Sequence, residues 1–253
     1  MKKIFVFVFT LLIASSSVGA NSLPKFTIMT EDWVPYQFKE GSELRGIAVD
    51  LMVEMLERTG STETRKDIQM LPWARAYRNL QVKENTVLFS MTRSSERENL
   101  FRWVGPIFQN TTYLIAAKKK NIRISSSDDL RNYRFGTIYD DASEMFLSRH
   151  GVSKSQFLRN SSAKSNLRML ERDRMDMIVS GWEGFISDAT ETGIDPSDFE
   201  RVYTIDVSEI SVAFHRNTPD WIIQRFQKVL DDIKAEGLYD RIFEKYKAFS
   251  RDE

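Results

Sequence analysis

The residues best suited to binding chemistry lie in one short segment of the chain, residues 89–97. Its sequence, FSMTRSSER, places the hydroxyl groups of Ser90 and Thr92 and the guanidinium group of Arg97 just beyond a strand-like run. We predict that a helix begins at Ser94. The free backbone N–H groups of its first turn, together with an arginine there, could then bind a carboxylate. An alternative remains open, in which Ser94 only caps the helix and the arginines lie on the surface.

Three aromatic residues form a second candidate binding surface. Trp33 and Tyr36 lie close together after the first strand-like run, and Trp73 follows another. Rings at strand ends can stack on a bound molecule, and each of these also offers one polar atom. Packing in the core or on the protein surface is the alternative role, and it fits Trp73 somewhat better than Trp33.

The sequence offers little for catalysis. It contains two histidines, His150 and His215, and no cysteine, which excludes a multi-histidine metal site and any thiolate site. It has neither a phosphate-binding glycine loop nor a Gly-x-Ser-x-Gly nucleophile motif. We therefore predict no catalytic residue, no metal and no cofactor, and we expect recognition rather than bond making.

The elements that would position these residues alternate between short apolar runs and helical patterns, which indicates an α/β fold with mostly parallel strands. The predicted strands are residues 26–30, 68–71, 86–91, 112–117, 134–138, 175–180 and 202–205. The predicted helices are residues 47–56, 73–80, 142–149, 163–172, 182–190, 221–233 and 238–246.

Composition excludes several classes of protein. The 253 residues carry 36 Lys and Arg against 36 Asp and Glu, so the chain lacks the basic excess of an electrostatic nucleic-acid binder. An apolar content of 42% can fill a core, which argues against intrinsic disorder. We expect a folded protein with no nucleic-acid partner.

The first 20 residues have the pattern of a signal peptide. Lys2 and Lys3 precede an apolar run of about a dozen residues, which is too short to span a bilayer. The small residues that end at Ala20 are typical of a cleavage site, and the absence of a following cysteine excludes a lipid anchor. We predict that residues 1–20 are removed and that the remainder is a soluble protein, periplasmic in a Gram-negative host.

Three motifs in this order resemble the family-3 extracellular solute-binding proteins, the polar amino-acid receptors of ABC importers. The first joins Trp33-Val34-Pro35-Tyr36 to residues 46–51, where a Gly precedes an Asp-Leu pair. The second is Met91 to Arg97 followed by Pro106, and the third is the segment GLYDRIFEKY at residues 237–246. The resemblance extends over essentially the whole chain beyond residue 20.

The resemblance implies a two-lobed, type II periplasmic-binding-protein-like fold whose chain crosses a hinge twice. Lobe 1 would comprise residues 21–112 and 210–253, and lobe 2 residues 113–209. Closure of the lobes on a solute would expel water and strengthen the polar contacts. Arg97 would hold a ligand carboxylate. The full set of predicted ligand-binding residues is Arg97, Thr92, Ser90, Trp33, Tyr36, Trp73, Asp141 and Glu183.

The sequence departs from the family pattern in lobe 2. Members that bind standard amino acids usually carry an Asp that pairs with the ligand ammonium, and Gly181 occupies that place. Glu183, Asp140 or Asp141 could substitute, although Asp140 and Asp141 themselves replace a Gly-Thr loop that contacts the ligand. A solute with a differently placed cation or with several hydroxyl groups therefore stays open.

The resemblance favours a monomeric periplasmic protein that captures a small polar solute, an amino acid or a close relative, and delivers it to the permease of an ABC importer without catalysis. Two alternatives remain. One is an enzyme similar to the periplasmic cyclohexadienyl dehydratases, with Glu183 as general acid. The other is a ligand-sensing protein that presents its closed form to a membrane receptor.

Overall fold

The computed structural model describes residues 22–247, so the predicted signal peptide lies outside the described residues. The strands are β1 (Thr27–Thr30), β2 (Phe38–Glu40), β3 (Glu43–Arg45), β4 (Gln69–Met70), β5 (Thr86–Thr92), β6 (Phe101–Ala117), β7 (Phe135–Ile138), β8 (Phe157–Asn160), β9 (Met177–Gly181) and β10 (Phe199–His215). The helices are α1 (Ile47–Thr59), α2 (Trp73–Val82), α3 (Ala142–Arg149), α4 (Ala163–Glu171), α5 (Trp182–Thr192), α6 (Asp220–Ala235) and α7 (Leu238–Lys245).

One sheet of eight strands connects the whole molecule, in the order β4-β1-β5-β10-β6-β9-β7-β8. Strands β4, β1 and β5 are parallel to one another at one end, and β9, β7 and β8 are parallel at the other. The two central strands, β6 and β10, run antiparallel to each other and to their outer neighbours. The α/β fold is confirmed, with an antiparallel pair in the middle of two parallel groups.

Strands β6 and β10 carry the chain between two lobes. Each is 17 residues long, and they pair from Phe199 opposite Ala117 to His215 opposite Phe101. Sequence analysis predicted only their apolar parts, because polar residues such as Asn110 and Ser208 interrupt the pattern where the backbone pairing continues. The predicted lobe boundaries, residues 112–113 and 209–210, fall within this pair of strands and stay a prediction.

Each lobe has an apolar core on both faces of its part of the sheet. Ile28 belongs to one core of lobe 1 and its neighbour Met29 to the other, as expected where successive side chains point to opposite faces. Leu114 and Ile115 divide in the same way between the two cores of lobe 2. Because helices cover both faces, the strands are continuous apolar runs rather than alternating ones.

The first and third motifs meet in lobe 1 and have a structural role. The Gly46 N–H donates to Tyr246 Oη at 3.1 Å, and Asp50 Oδ2 accepts from Tyr246 Oη at 2.9 Å and from Lys245 Nζ at 2.6 Å. Gly46 has φ 125° and a side chain there would meet the Tyr36 carbonyl oxygen at 2.3 Å, so only glycine fits. These residues join α7 to the start of α1.

Two local predictions need correction. Sequence analysis missed β8, a four-residue edge strand beside β7, and the short hairpin of β2 and β3. The helix predicted to begin at Ser94 is absent: residues 95–97 form a turn, and a short 3₁₀ helix, Glu98–Leu100, follows. Strand β6 begins directly afterwards, so the chain has no room for a helix. Within residues 22–247, no helix is long and apolar enough to cross a membrane.

Candidate functional site

A cleft of about 870 Å³, which includes space open to solvent, lies between the lobes beside the central strands. Lobe 1 and the first part of β6 contribute Glu31, Asp32, Trp33, Val34, Trp73, Ser90, Thr92, Arg97, Asn110 and Thr112. Lobe 2 contributes Ile138, Asp141, Ala142, Ser143, Phe146, Ala163, Val179, Ser180, Gly181, Gly184 and Asp188. Six of the eight predicted binding residues are among these; Tyr36 and Glu183 are not.

Arg97 presents a buried cation to the cleft. The residue is 5% exposed, and its guanidinium carbon lies 5.3 Å from the Trp73 ring centroid and 5.1 Å from that of Tyr77. Its Nη2 donates to the Asp140 carbonyl oxygen at 3.1 Å. Among residues 22–247, no carboxylate forms an ion pair with Arg97 at 4 Å or less. The aromatic rings therefore hold a guanidinium group whose charge is available to an anion.

Ser90 adopts a strained backbone conformation at the inner wall of the cleft. Its φ is 63°, which is unusual for a residue other than glycine, and the pairing of β5 with β10 shifts register near it. Its hydroxyl donates to Gln37 Oε1 at 2.8 Å. Because Gln37 also pairs with Trp33 through both backbone groups, one buried amide connects the Ser90 bend to the Trp33 loop.

Trp33 and Tyr36 pack against each other, with ring centroids 4.8 Å apart, but only Trp33 lines the cleft. Trp33 lines the cleft, and a side chain at Gly184 in α5 would approach its indole ring to 3.1 Å, so the two lobes pack closely here. Tyr36 stacks on Phe108 at a centroid distance of 4.0 Å, within the lobe 1 core. Burial and the negative charge of Glu183 raise the pKa of the Tyr36 hydroxyl. Neither Tyr36 nor Glu183 is among the residues that line the cleft.

The loop before α3 is the point where lobe 2 meets the cation of lobe 1. Trp73 Nε1 donates to the Asp140 carbonyl oxygen at 2.9 Å, and Arg97 donates to the same oxygen. Asp140 has φ 60°, which turns this carbonyl group toward lobe 1. Asp141 caps α3 by accepting from the Ala142 N–H, and burial raises the pKa of its carboxyl against the opposing charge of Arg97.

Sequence analysis missed two acidic residues of the cleft, Glu31 and Asp188. Burial raises the pKa of Glu31 well above its usual value, and the neighbouring charges of Asp141 and Asp32 raise it further. Burial also raises the pKa of Asp188 to about 6. Two signals could have found these residues: Glu31 directly follows β1, and Asp188 lies seven positions after Gly181 along α5. In the described part of the chain no group of three such side chains is arranged to hold a metal ion.

Ion pairs join the two lobes at the rim of the cleft. Lys164 of α4 lies 3.0 Å from Asp32 of lobe 1 and 2.7 Å from Glu191 of its own lobe. Arg149 of α3 donates to Glu96 of lobe 1, with Nε at 2.9 Å from Oε1. With the Asp140 and Gly184 contacts, these pairs define a closed arrangement around the cleft.

Comparison with known proteins identifies relatives of the whole fold. Residues 27–249 match the bacterial extracellular solute-binding proteins, family 3. The "Probable histidine-binding protein" of Campylobacter jejuni is 23% identical over 223 residues, 85% of this chain and 81% of that protein. The "Arginine-binding extracellular protein ArtP" of Bacillus subtilis is 22% identical over 241 residues, 92% of this chain and 90% of that protein.

A solved structure agrees with this fold. A histidine kinase sensor domain with similarity to periplasmic binding proteins has a TM-score of 0.76 and 18% identity, and the match covers 88% of this chain and 96% of that domain. The lobes, the strand pair between them and the cleft therefore form the periplasmic-binding-protein-like fold that was predicted. With nearly the whole described chain matched, the protein belongs to family 3 of the bacterial extracellular solute-binding proteins.

Proposed function

We propose that this protein captures a cationic amino acid by closing its two lobes, and that it delivers the solute to an ABC importer. The observation that carries the proposal is the charge distribution in the cleft. One buried guanidinium group, Arg97, faces an anion site, while Glu31, Asp141 and Asp188 hold carboxyl groups whose pKa values burial raises. A solute with one carboxylate and an additional cation complements both.

The energetic reason is desolvation. A buried carboxylate without a partner loses its hydration and gains little in return, which is why its pKa rises. A bound ammonium, guanidinium or imidazolium group restores a favourable interaction in the same dry space. A neutral or acidic amino acid would engage Arg97 and bring no side-chain cation to Glu31, and Asp188 would keep only Lys164, at 4.0 Å, so the cleft favours a net positive solute.

The relatives support this solute class. Two of them are named for histidine and for arginine, and both names describe amino acids with basic side chains. We propose the same solute class for this chain. We also propose the transport role, the cleaved signal peptide, the periplasmic location and the monomeric state that the sequence predicts. Binding without catalysis is our proposal as well, because the general-acid alternative requires Glu183 in the cleft lining, and Glu183 is not among the lining residues.

A sensing role is the second candidate function. The similarity to a histidine kinase sensor domain favours it, because that domain has the same fold and is part of a signalling protein. In this case the closed form would be presented to a membrane receptor, and the solute class would be the same.

Calorimetric titration of the purified protein tests the solute class. The panel consists of L-arginine, L-lysine and L-histidine, with L-leucine, L-glutamate and prephenate as comparisons. We expect saturable binding of at least one cationic amino acid and much weaker binding of leucine and glutamate. Preferential binding of glutamate or leucine would overturn the charge argument, and turnover of prephenate would instead favour the enzyme.

A further inference from the structure

The hinge end of the cleft contains a polar side chain with an unused acceptor. Asn110 of β6 lines the cleft, and its Nδ2 donates to Thr112 Oγ1 at 3.0 Å. That bond orients the amide and leaves Oδ1 directed elsewhere. No donor from residues 22–247 reaches Asn110 Oδ1, although carbonyl oxygens of side-chain amides readily accept two hydrogen bonds. Asn110 therefore brings to the cleft lining an acceptor that no described residue uses.

Gly181 provides the room that this acceptor needs. Its φ and ψ are −70° and 147°, values that any residue adopts, so backbone freedom does not require glycine here. A Cβ atom at position 181 would lie 3.1 Å from Asn110 Oδ1, tighter than ordinary contact. Because Gly181 has no side chain, the Asn110 amide can lie close to it, near the position that a Cβ atom at residue 181 would occupy.

The spacing along α5 separates this acceptor from the acidic end of the cleft. Gly181, Gly184 and Asp188 all line the cleft and follow one side of the helix. Seven residues of helix span about 10 Å. An extended cationic amino acid bridges a comparable length, with its side-chain cation near Asp188 and its α-ammonium group near Asn110.

We infer that Asn110 Oδ1 accepts a hydrogen bond from the α-ammonium group of the bound solute, and that Gly181 is required for this contact. The inference rests on the proposed function, since it presupposes an amino-acid solute. A neutral amide acceptor here leaves the carboxylates at the other end of the cleft to select the side-chain cation. Asn110 is thereby a specificity-determining residue for α-amino over des-amino compounds.

The test compares L-arginine, L-lysine and L-histidine with their des-amino analogues, which keep the carboxylate and the side-chain cation. The variants are Asn110→Ala and Gly181→Ala, and Asn132→Ala is the matched control because Asn132 is exposed and remote from the cleft. We expect Asn110→Ala to weaken amino-acid binding about tenfold or more, the usual effect of a hydrogen bond to a charged group, and to leave analogue binding unchanged. Gly181→Ala should show the same selective loss.

Equal losses for the amino acid and its analogue, or no loss for either, would overturn the assignment of Asn110. If the analogue binds the wild type too weakly to measure, Asn110→Asp decides. A carboxylate acceptor should bind the ammonium group more tightly than the amide, so weaker binding of the amino acid by this variant would also overturn the assignment. Failure of the wild type to bind any cationic amino acid would overturn the proposed function itself, and with it this inference.

Discussion

The two walls of the cleft consist of different kinds of chemical groups. The lobe 1 wall carries large side chains that its own lobe holds in place, above all Arg97 between Trp73 and Tyr77. The lobe 2 wall is made of small residues and backbone groups, including Gly181, Gly184 and the Asp140 carbonyl group. Lobe 1 therefore supplies the cation of the anion site together with the rings that hold it, whereas lobe 2 contributes a wall that lies close to it.

This difference explains which residues sequence patterns could reveal. A preorganised site needs particular side chains, so it leaves a motif such as Met91 to Arg97. A wall that works by close approach needs the absence of side chains at particular places. Gly184 against Trp33 and Gly181 against Asn110 become informative only when the opposite surface is known.

Loss of the Arg97 cation from the lobe 1 wall should have the largest effect on solute affinity. We expect Arg97→Ala to weaken binding of a cationic amino acid by about 2–5 kcal/mol, because a buried charge-assisted contact is lost. Calorimetric titration measures the change. Arg93→Ala is the matched control, since Arg93 pairs with Glu98 outside the cleft lining and should leave the affinity unchanged. Unchanged affinity in the folded Arg97→Ala variant would contradict the role of Arg97.

Filling the small lobe 2 wall should prevent close approach. Because a Cβ atom at position 184 would lie 3.1 Å from Trp33, Gly184→Ala should weaken binding by about 1–3 kcal/mol. The same change lies within α5, where alanine favours the helix by about 1 kcal/mol, so the melting temperature of the free protein should not fall. In a protein that already carries Trp33→Ala, the further change Gly184→Ala should weaken binding much less than it does in the wild type. Additive effects of the two changes on the binding free energy would contradict the proposed contact.

The acidic end of the cleft should make binding depend on pH. Burial raises the pKa of Asp188 in the free protein to about 6, and a bound cation would lower it. The affinity is therefore full above this pKa and falls as the pH drops below it, by at most about tenfold per pH unit for one proton. Calorimetry from neutral pH to pH 5 measures the slope. Asp188→Asn should flatten this profile, and an unchanged slope would contradict the part assigned to Asp188.

The rim ion pair should have the smallest effect. Lys164→Ala removes the pair with Asp32 across the cleft mouth and the 4.0 Å approach to Asp188, and we expect a net loss of about 0.2–1 kcal/mol in binding that shrinks as salt is added. Lys228→Ala is the control, because Lys228 pairs with Asp232 within α6. If both variants bind equally well at low salt, the rim pair does not contribute to closure.

Much of the fold was predictable from local patterns. Strands buried on both faces produce apolar runs, and helices that cover a sheet produce apolar stripes, so the predicted helices and most strands are present. The exceptions have local causes. Polar hinge residues conceal the full length of β6 and β10, and the start of β6 at Phe101 leaves no room for the helix predicted at Ser94.

The sequence by itself indicated the α/β class through apolar patterns and the family through three motifs, and the resemblance to that family led to six predicted residues that line the cleft. Only the tertiary structure decided that Tyr36 packs into a core and that Glu31 and Asp188 share one desolvated space. It also decided that Asn110 and Gly181 complement each other. Burial and proximity arise between segments far apart in the chain, so no local pattern records them.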